Sequence, residues 1–204
     1  GTSTNIIVGA AAFFMADTTL VPTVTPSFVG SASYRETLSS NANYDNVGYT
    51  TNGLEMQFQP DFGEVQVDQI LDVAKLYKQG MQVSVATAFA EATLENLLLA
   101  LAGNNDDLTG TKSSSTGRIL NLSAGDIGEC PVERGLVAVG PGTGDCAVGS
   151  ELERVYIAYR ALSIENVSVS AKRDEATMFE VSFRLLPNDD ASYGKIVDRT
   201  VPAA

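Results

Sequence analysis

The sequence predicts a mainly β (α+β) domain in which two packed antiparallel sheets, or a partly closed β-barrel, carry one flanking α-helix. Two observations predict this fold class. Several segments alternate apolar and polar side chains, which is typical of strands with one face in a core and the other in water. One short segment instead has helical spacing. The 204 residues fit a single domain, 1–204, that buries roughly 70% of its unfolded surface.

An apolar run near the start predicts a buried first strand over residues 5–15. No basic residue precedes this run, which disfavours a secretory signal peptide. Residues 17–46 are then rich in Thr, Ser, Pro and Asn, and Pro22 and Pro26 disfavour a helix or a central strand. A segment of this length without periodicity predicts either a functional, partner-binding loop or a surface excursion.

The next part of the chain predicts three strands, over residues 47–59, 63–70 and 80–88, with a turn at 60–63. Their apolar positions are Leu54, Met56, Phe58, Val65, Val67, Met81, Val83 and Val85. Their polar positions are Glu55, Gln57, Gln59, Glu64, Gln66, Asp68, Gln82 and Ser84. Because side chains alternate across a strand, we expect the apolar set to face the core and the polar set to face water.

Residues 93–103 have the spacing of a short helix packed on a sheet. The predicted apolar face of this helix consists of Leu94, Leu97, Leu98 and Leu101. Thr93 is a suitable N-cap, Glu95 lies in the first turn where the helix dipole favours an acid, and Gly103 is placed to end the helix.

A loop-rich insertion is predicted at about 104–150, with one short strand near 118–122. The acidic turn at 104–107 lacks the spaced ligands, glycine and terminal glutamate of an EF-hand loop. The glycines of 140–144 are not followed by Gly-Lys-Ser/Thr, so they do not predict a phosphate-binding loop. We interpret both segments as turns.

The C-terminal part returns to alternating polarity and predicts strands at 154–160, 167–170 and 178–185. A charged turn at 172–175 separates the last two of these strands. The strands of this part, with those of the middle, account for the mainly β prediction.

The sequence contains no histidine, which removes the commonest general base and metal ligand. We therefore predict no catalytic residues, metal, cofactor or enzymatic activity. Acid pairs such as Glu55 with Glu64, or Glu64 with Asp68, lie among Gln and Ser as on any solvated sheet face, so they do not predict a glycosidase. Cys130 and Cys146 either form a disulfide, worth roughly 3 kcal/mol, or stay free thiols.

The charge of the chain bears on its partners. Thirteen basic and 25 acidic residues give a net charge of −12. A protein that grips nucleic acid by its phosphates needs a basic stripe, and the sequence has none. The acidic charge favours solubility, and an acidic surface also repels DNA.

Five stretches of the chain carry a resemblance to a known family. They are 47–68, 89–98, 154–160, 179–187 and 193–198. In their content and order these stretches resemble the major tail tube protein of long-tailed (siphovirus-type) bacteriophages. None of them is a chemical signature, so the resemblance depends on their number and order, and it is weakest over 17–46 and 104–128.

The resemblance implies the phage tail tube fold and a structural role. Subunits of this family form hexameric rings that stack into a tube around a tape measure protein, and tail terminator and tail tip proteins complete the tail. DNA crosses the lumen without specific binding, and no membrane is involved. The location implied is the tail of the virion, with assembly in the host cytoplasm.

The resemblance also implies roles for particular residues. The polar set of the middle strands (Glu55, Gln57, Gln59, Glu64, Gln66, Asp68, Gln82 and Ser84) would face the lumen. The residues predicted at ring-to-ring contacts are Tyr34, Arg35, Glu36, Tyr193 and Lys195. Two alternatives are a secreted tube protein of a bacterial contractile injection system and a soluble β-sandwich module for binding or adhesion.

Overall fold

The computed structural model describes residues 9–69, 72–110, 117–124, 127–128, 130–143, 150–164, 167, 169, 173 and 177–202. The strands in these residues are β1 (Ala12–Ala16), β2 (Tyr44–Asn46), β3 (Thr50–Gln66), β4 (Val73–Phe89), β5 (Leu108–Thr109), β6 (Ile119–Leu120), β7 (Arg134–Pro141), β8 (Ser150–Ser163), β9 (Phe179–Leu185) and β10 (Gly194–Pro202). The helices are α1 (Tyr34–Ser39) and α2 (Leu94–Ala100), and Asn105–Asp107 form a 3₁₀ turn. The prediction of a mainly β fold is confirmed.

Eight of the strands form one antiparallel sheet in the order β2-β1-β7-β8-β9-β4-β3, with β10 also paired to β8. The sheet branches at the long strand β8, because β9 and β10 pair with different parts of it. Its first part, 150–158, pairs with β10, whereas 161–163 pair with β9 on the same edge. The other edge of β8 pairs with β7. The sheet is not a closed barrel, and two helices accompany it where one was predicted.

The sheet and helix α2 enclose a first core. Its buried side chains come from β1, β4, β7, β8, β9 and α2. Phe13, Phe89 and Phe183 meet at its centre, with ring centroids 5.9 to 6.4 Å apart. Aromatic side chains dominate the apolar area that a core buries, so this cluster joins β1, β4 and β9 into one unit.

A second core lies on the opposite face of β1, β7 and β8. Residues 17–46, which we call the strap, cover that face with Leu20, Tyr34, Leu38 and Tyr44. The side chains beneath the strap are Phe14, Val137, Val139, Val155, Ile157 and Tyr159. The strap is therefore a packed layer of the fold and contains helix α1.

Burial on both faces explains two sequence patterns. Residues 12–16 and 136–139 are continuous apolar runs rather than alternating ones, because β1 and β7 lie between the two cores. Strand β7 interrupts the predicted insertion at 104–150, and the prediction missed it. The predicted first strand is also too long at its start, since β1 begins at Ala12 and residues 5–8 lie outside the described residues.

The middle of the chain differs most from the prediction. Two strands of 17 residues replace the three short ones, and residues 60–63 continue β3 instead of turning. Pro60 pairs with Met81 across the hairpin and is tolerated because β3 is an edge strand. The chain reverses between Gln66 and Val73.

Helix α2 begins as predicted. The Thr93 side chain accepts a hydrogen bond from the Asn96 backbone N–H at 3.2 Å. The residue with positive φ at the C-terminal end is Ala102, at 53°, where Gly103 was expected to end the helix. Its N–H donates to the Leu99 carbonyl and that of Gly103 to the Leu98 carbonyl, which is a Schellman ending.

The buried face of α2 differs from the predicted leucine stripe. The buried residues of the helix are Asn96, Leu98, Leu99 and Ala100. Leu101 is 46% exposed, and Leu94 and Leu97 are half-buried. Asn96 replaces a leucine in the interior because its amide donates to the carbonyls of Val47 and Glu91, each at 2.8 Å.

Two smaller predictions lie in the loops and the C-terminal part. The short strand near 118–122 is β6, which pairs with β5. Of the strand predicted at 167–170, Val167 and Val169 lie outside any strand, and 168 and 170 lie outside the described residues. The strands predicted at 154–160 and 178–185 are found as β8 and β9.

Candidate functional site

The β3-β4 hairpin extends beyond the rest of the sheet. Strand β4 pairs with β9 only over residues 83–89, so within the described part of the chain no third strand lies beside the outer part of the hairpin. We call residues 60–80 the distal hairpin. Among the described residues no strand pairs with the outer edge of β3. The hairpin therefore presents backbone donors and acceptors along a 17-residue edge.

The register of the hairpin separates its two faces. Phe58 lies opposite Val83, which is buried in the first core, so we call this face of the hairpin the core-side face. Phe62 lies opposite Lys78 and Leu76 opposite Glu64 on the same face. Phe58, Phe62 and Leu76 are 55%, 53% and 59% exposed. The core-side face thus continues the apolar core outward into water.

The other face of the hairpin is polar near the sheet. Gln57 lies opposite Ser84 and Gln59 opposite Gln82, so these four side chains share one face with Glu55. Strand β9 extends this face with Glu180 and with Arg184, which pairs with Ser84. We call this set the polar sheet face: Glu55, Gln57, Gln59, Gln82, Ser84, Glu180 and Arg184.

The predicted lumen-facing set is split by the structure. Glu64 and Gln66 lie on the core-side face, and Asp68 lies beyond the end of β3. The expectation that these residues share a face with Gln57 is wrong, because β3 runs through 60–63 without the turn that would have reset its alternation. Val65 was predicted to share a face with Phe58, and it lies instead on the opposite face. The five remaining residues share one face, and their lumen position stays a prediction.

Sequence reasoning missed Arg184 as part of the polar sheet face. The alternation of β9 indicates that Arg184 points away from the core. What the sequence does not supply is the pairing of β9 with β4, which places this cation beside Ser84. The face is therefore mixed in charge, with two acids and one arginine.

A buried ion pair holds the strap to the sheet. Arg199 Nη1 lies 3.1 Å from Glu153 Oε2, and both side chains are buried. The same carboxylate accepts hydrogen bonds from the Tyr34 backbone N–H at 3.0 Å and from the Ser33 hydroxyl. Arg199 Nε donates to the Ser27 carbonyl at 3.0 Å. One charged pair thus fixes the strap at several points.

The residues predicted at ring-to-ring contacts have different environments. Tyr34 is half-buried over the second core, and burial raises its pKa, with a further contribution from Tyr44. Arg35 and Glu36 are exposed on helix α1. The exposure of Arg35 and Glu36 is compatible with a contact between rings. For these two residues and for Tyr34, that role stays a prediction.

The other two predicted contact residues make hydrogen bonds within the subunit. Lys195 Nζ donates to the Pro22 carbonyl at 2.7 Å and to Thr25 Oγ1 at 2.6 Å. Tyr193 Oη donates to the Met81 carbonyl at 2.6 Å. These bonds position the strap and β4, and a role between rings stays a prediction for both residues.

The remaining site predictions concern thiols and metals. Cys130 is exposed, and Cys146 lies outside the described residues, so both alternatives, a disulfide or free thiols, stay predictions. In the described part of the chain no group of three or more acidic or thiol side chains is placed to hold a metal ion. No helix in that part is long and apolar enough to span a membrane.

A search of protein-family models and of curated protein sequences finds no match to this chain.

Proposed function

We propose that this chain is the structural subunit of a phage tail tube. The observation that carries the proposal is the open outer edge of β3, which runs for 17 residues beside an exposed polar sheet face. Natural proteins shorten, charge or cover such edges, because an open edge pairs with other chains. An edge of this length on a well-packed body supports edge-to-edge association with further copies of the chain.

The form of the edges favours rings or filaments over a closed dimer. The opposite end of the sheet is β2, which has only three residues, so the two ends of the sheet are unlike. Contacts between unlike surfaces are heterologous and produce rings when the rotation closes. Hexameric rings stacked around a tape measure protein, and closed by terminator and tip proteins, are the assembly that the resemblance implies.

The polar sheet face is suited to line the channel. Each subunit would present Glu55, Glu180 and Arg184 among neutral amides and a hydroxyl. A wall with more acids than cations does not neutralise phosphates, so it does not hold DNA by counterion release. The proposed mechanism is thus mechanical and electrostatic: the tube guides the genome into the host without binding it.

Electron microscopy of the purified protein, with light scattering over a concentration series, tests the proposal. Hollow tubes or stacked rings are the expected result. A protein that remains a monodisperse monomer at every concentration would contradict self-assembly and favour a soluble β-sandwich binding module. Rings formed by a variant with a proline at an outward-pointing N–H of β3 would show that association uses another surface.

A further inference from the structure

The core-side face of the hairpin carries large apolar side chains beside the polar Glu64, Gln66 and Lys78, and it lies in water. Phe58, Phe62 and Leu76 are each more than half exposed, in line with Met56 and Met81, which pack against the first core. A two-stranded hairpin is marginally stable by itself in water. Exposed apolar surface on an extended element of this kind marks a place where another surface packs.

A second exposed apolar surface lies on the strap. Phe28 and Val29 are 69% and 66% exposed. Their backbone is fixed against β10, because the Thr200 N–H donates to the Phe28 carbonyl at 2.8 Å and the Gly30 N–H donates to the Thr200 carbonyl at 3.1 Å. Since Val29 bridges Thr200 and the Arg199 guanidinium holds the neighbouring Ser27, these apolar side chains are presented on a rigid support.

The charges of the two surfaces are compatible with contact between copies. From Thr18 to Tyr34 the strap has no charged residue, although the chain has a net charge of −12. On the core-side face of the paired hairpin Glu64 is the acid and Lys78 the base, since Lys75 lies opposite Val65 on the other face. Two surfaces without net charge meet without the like-charge repulsion that other parts of an acidic chain would cause.

We propose that the core-side face of the distal hairpin of one copy docks on Phe28 and Val29 of a second copy. The inference builds on the proposed self-assembly and specifies one of its contacts. Because hairpin and strap are different surfaces, the contact is heterologous and can repeat around a ring or along a tube. A stable interface buries about 800 Å² on each partner, so this contact adds to the pairing of the β3 edge and does not replace it.

Disulfide cross-linking tests which surfaces meet. The background is the double variant Cys130→Ser, Cys146→Ser, and two proteins are made from it, one with Phe62→Cys and one with Val29→Cys. The expected result is that the mixture, once assembled and oxidised, yields linked pairs that contain one copy of each. The control pairs Val29→Cys with Ile119→Cys, whose native side chain is 64% exposed and lies outside both surfaces.

A matched pair of substitutions tests the face of the hairpin. In Phe62→Asp the new carboxylate faces Lys78, and in Val65→Asp on the opposite face it faces Lys75. Each variant therefore gains a cross-strand ion pair, and the hairpin tolerates both. Phe62→Asp is expected to raise the concentration at which assembly begins by about tenfold, and Val65→Asp by less than about threefold. Circular dichroism confirms that both variants fold.

The possible results separate this inference from the proposed function. Tubes that form without the Phe62–Val29 cross-link, and that form equally well with Phe62→Asp, would overturn the docking and leave the tube in place. If the cross-link forms and Phe62→Asp selectively loses assembly, the results support both the docking contact and the tube. A protein that stays monomeric throughout would overturn both.

Discussion

The strap and the distal hairpin are both excursions from the sheet, and they differ in what covers them. The strap has little regular structure, yet Leu38 is only 2% exposed and a buried ion pair fastens the strap to β8 and β10. The distal hairpin is hydrogen-bonded β-structure apart from two register shifts, yet its large side chains lie in water on both faces. Regular hydrogen bonding and burial are thus distributed independently in this molecule. The irregular segment belongs to the fold, and the hairpin is the surface that we propose binds a second copy.

The largest expected difference concerns two phenylalanines. Phe183 is 1% exposed at the centre of the first core, so Phe183→Ala should lower the free energy of unfolding by about 4 kcal/mol. Phe62 on the distal hairpin is 53% exposed, so Phe62→Ala should change it by no more than about 0.5 kcal/mol. Urea unfolding, followed by circular dichroism at a concentration below assembly, measures both. A cost above about 2 kcal/mol for Phe62→Ala would mean that the hairpin packs within its own subunit.

The next largest loss of stability is expected when the ion pair that holds the strap is removed. Glu153→Ala leaves the Arg199 guanidinium buried without its partner, and we expect a loss of about 3 kcal/mol. Glu153→Gln should cost less, because an amide oxygen still accepts from the Tyr34 N–H. Limited trypsin digestion after the exposed Arg35 reports on the strap itself, and cleavage should be faster in Glu153→Ala. Equal cleavage rates in the parent and both variants would contradict the fastening role.

Substitutions at two glycines compare how tightly the strap and the distal hairpin are packed. A β-carbon at Gly135 would collide with the side chain of Leu20, so Gly135→Ala displaces the strap and should cost about 2 kcal/mol. Gly80 in the distal hairpin has no atom within 4 Å of such a β-carbon, so Gly80→Ala should stay within about 0.5 kcal/mol of the parent. Thermal unfolding of the two variants side by side gives the difference. Similar losses would indicate that the hairpin is as tightly packed as the strap.

Local patterns in the sequence predicted the parts of the fold that are decided locally. Thr93 was identified as the N-cap, and the strands β8 and β9 were found from alternation, since each has one buried face. The shared face of Gln57 and Ser84 followed from the same alternation. These elements require no knowledge of what lies beside them.

The rest of the fold depends on contacts that are distant in sequence. Strand β7 was missed because burial on both faces removes alternation. Pro60 suggested a turn, since the sequence does not show that β3 is an edge strand where proline is tolerated. The packing of the strap depends on Glu153 and Arg199, which are more than 100 residues away along the chain. No local pattern indicates that pairing.

The smallest expected effect belongs to an ion pair outside both cores. Arg154 donates two hydrogen bonds to Asp198, at 2.6 and 2.7 Å, and the Asp198 side chain is 50% exposed. Solvent screens such a pair, so Asp198→Ala should cost less than about 1 kcal/mol, in contrast to Glu153→Ala.

The pH dependence of this pair has a defined sign. The hydrogen bonds from Arg154 hold the pKa of Asp198 below its usual range. The stabilisation is therefore complete above the unfolded pKa, at about 3.9, and is lost as the pH falls through the lower pKa of the folded state. The difference in unfolding free energy between the parent and Asp198→Ala should shrink below about pH 4. A difference that grows in acid would mean that Asp198 is stabilised in its protonated form, and the ion pair would then not be the source of its small contribution.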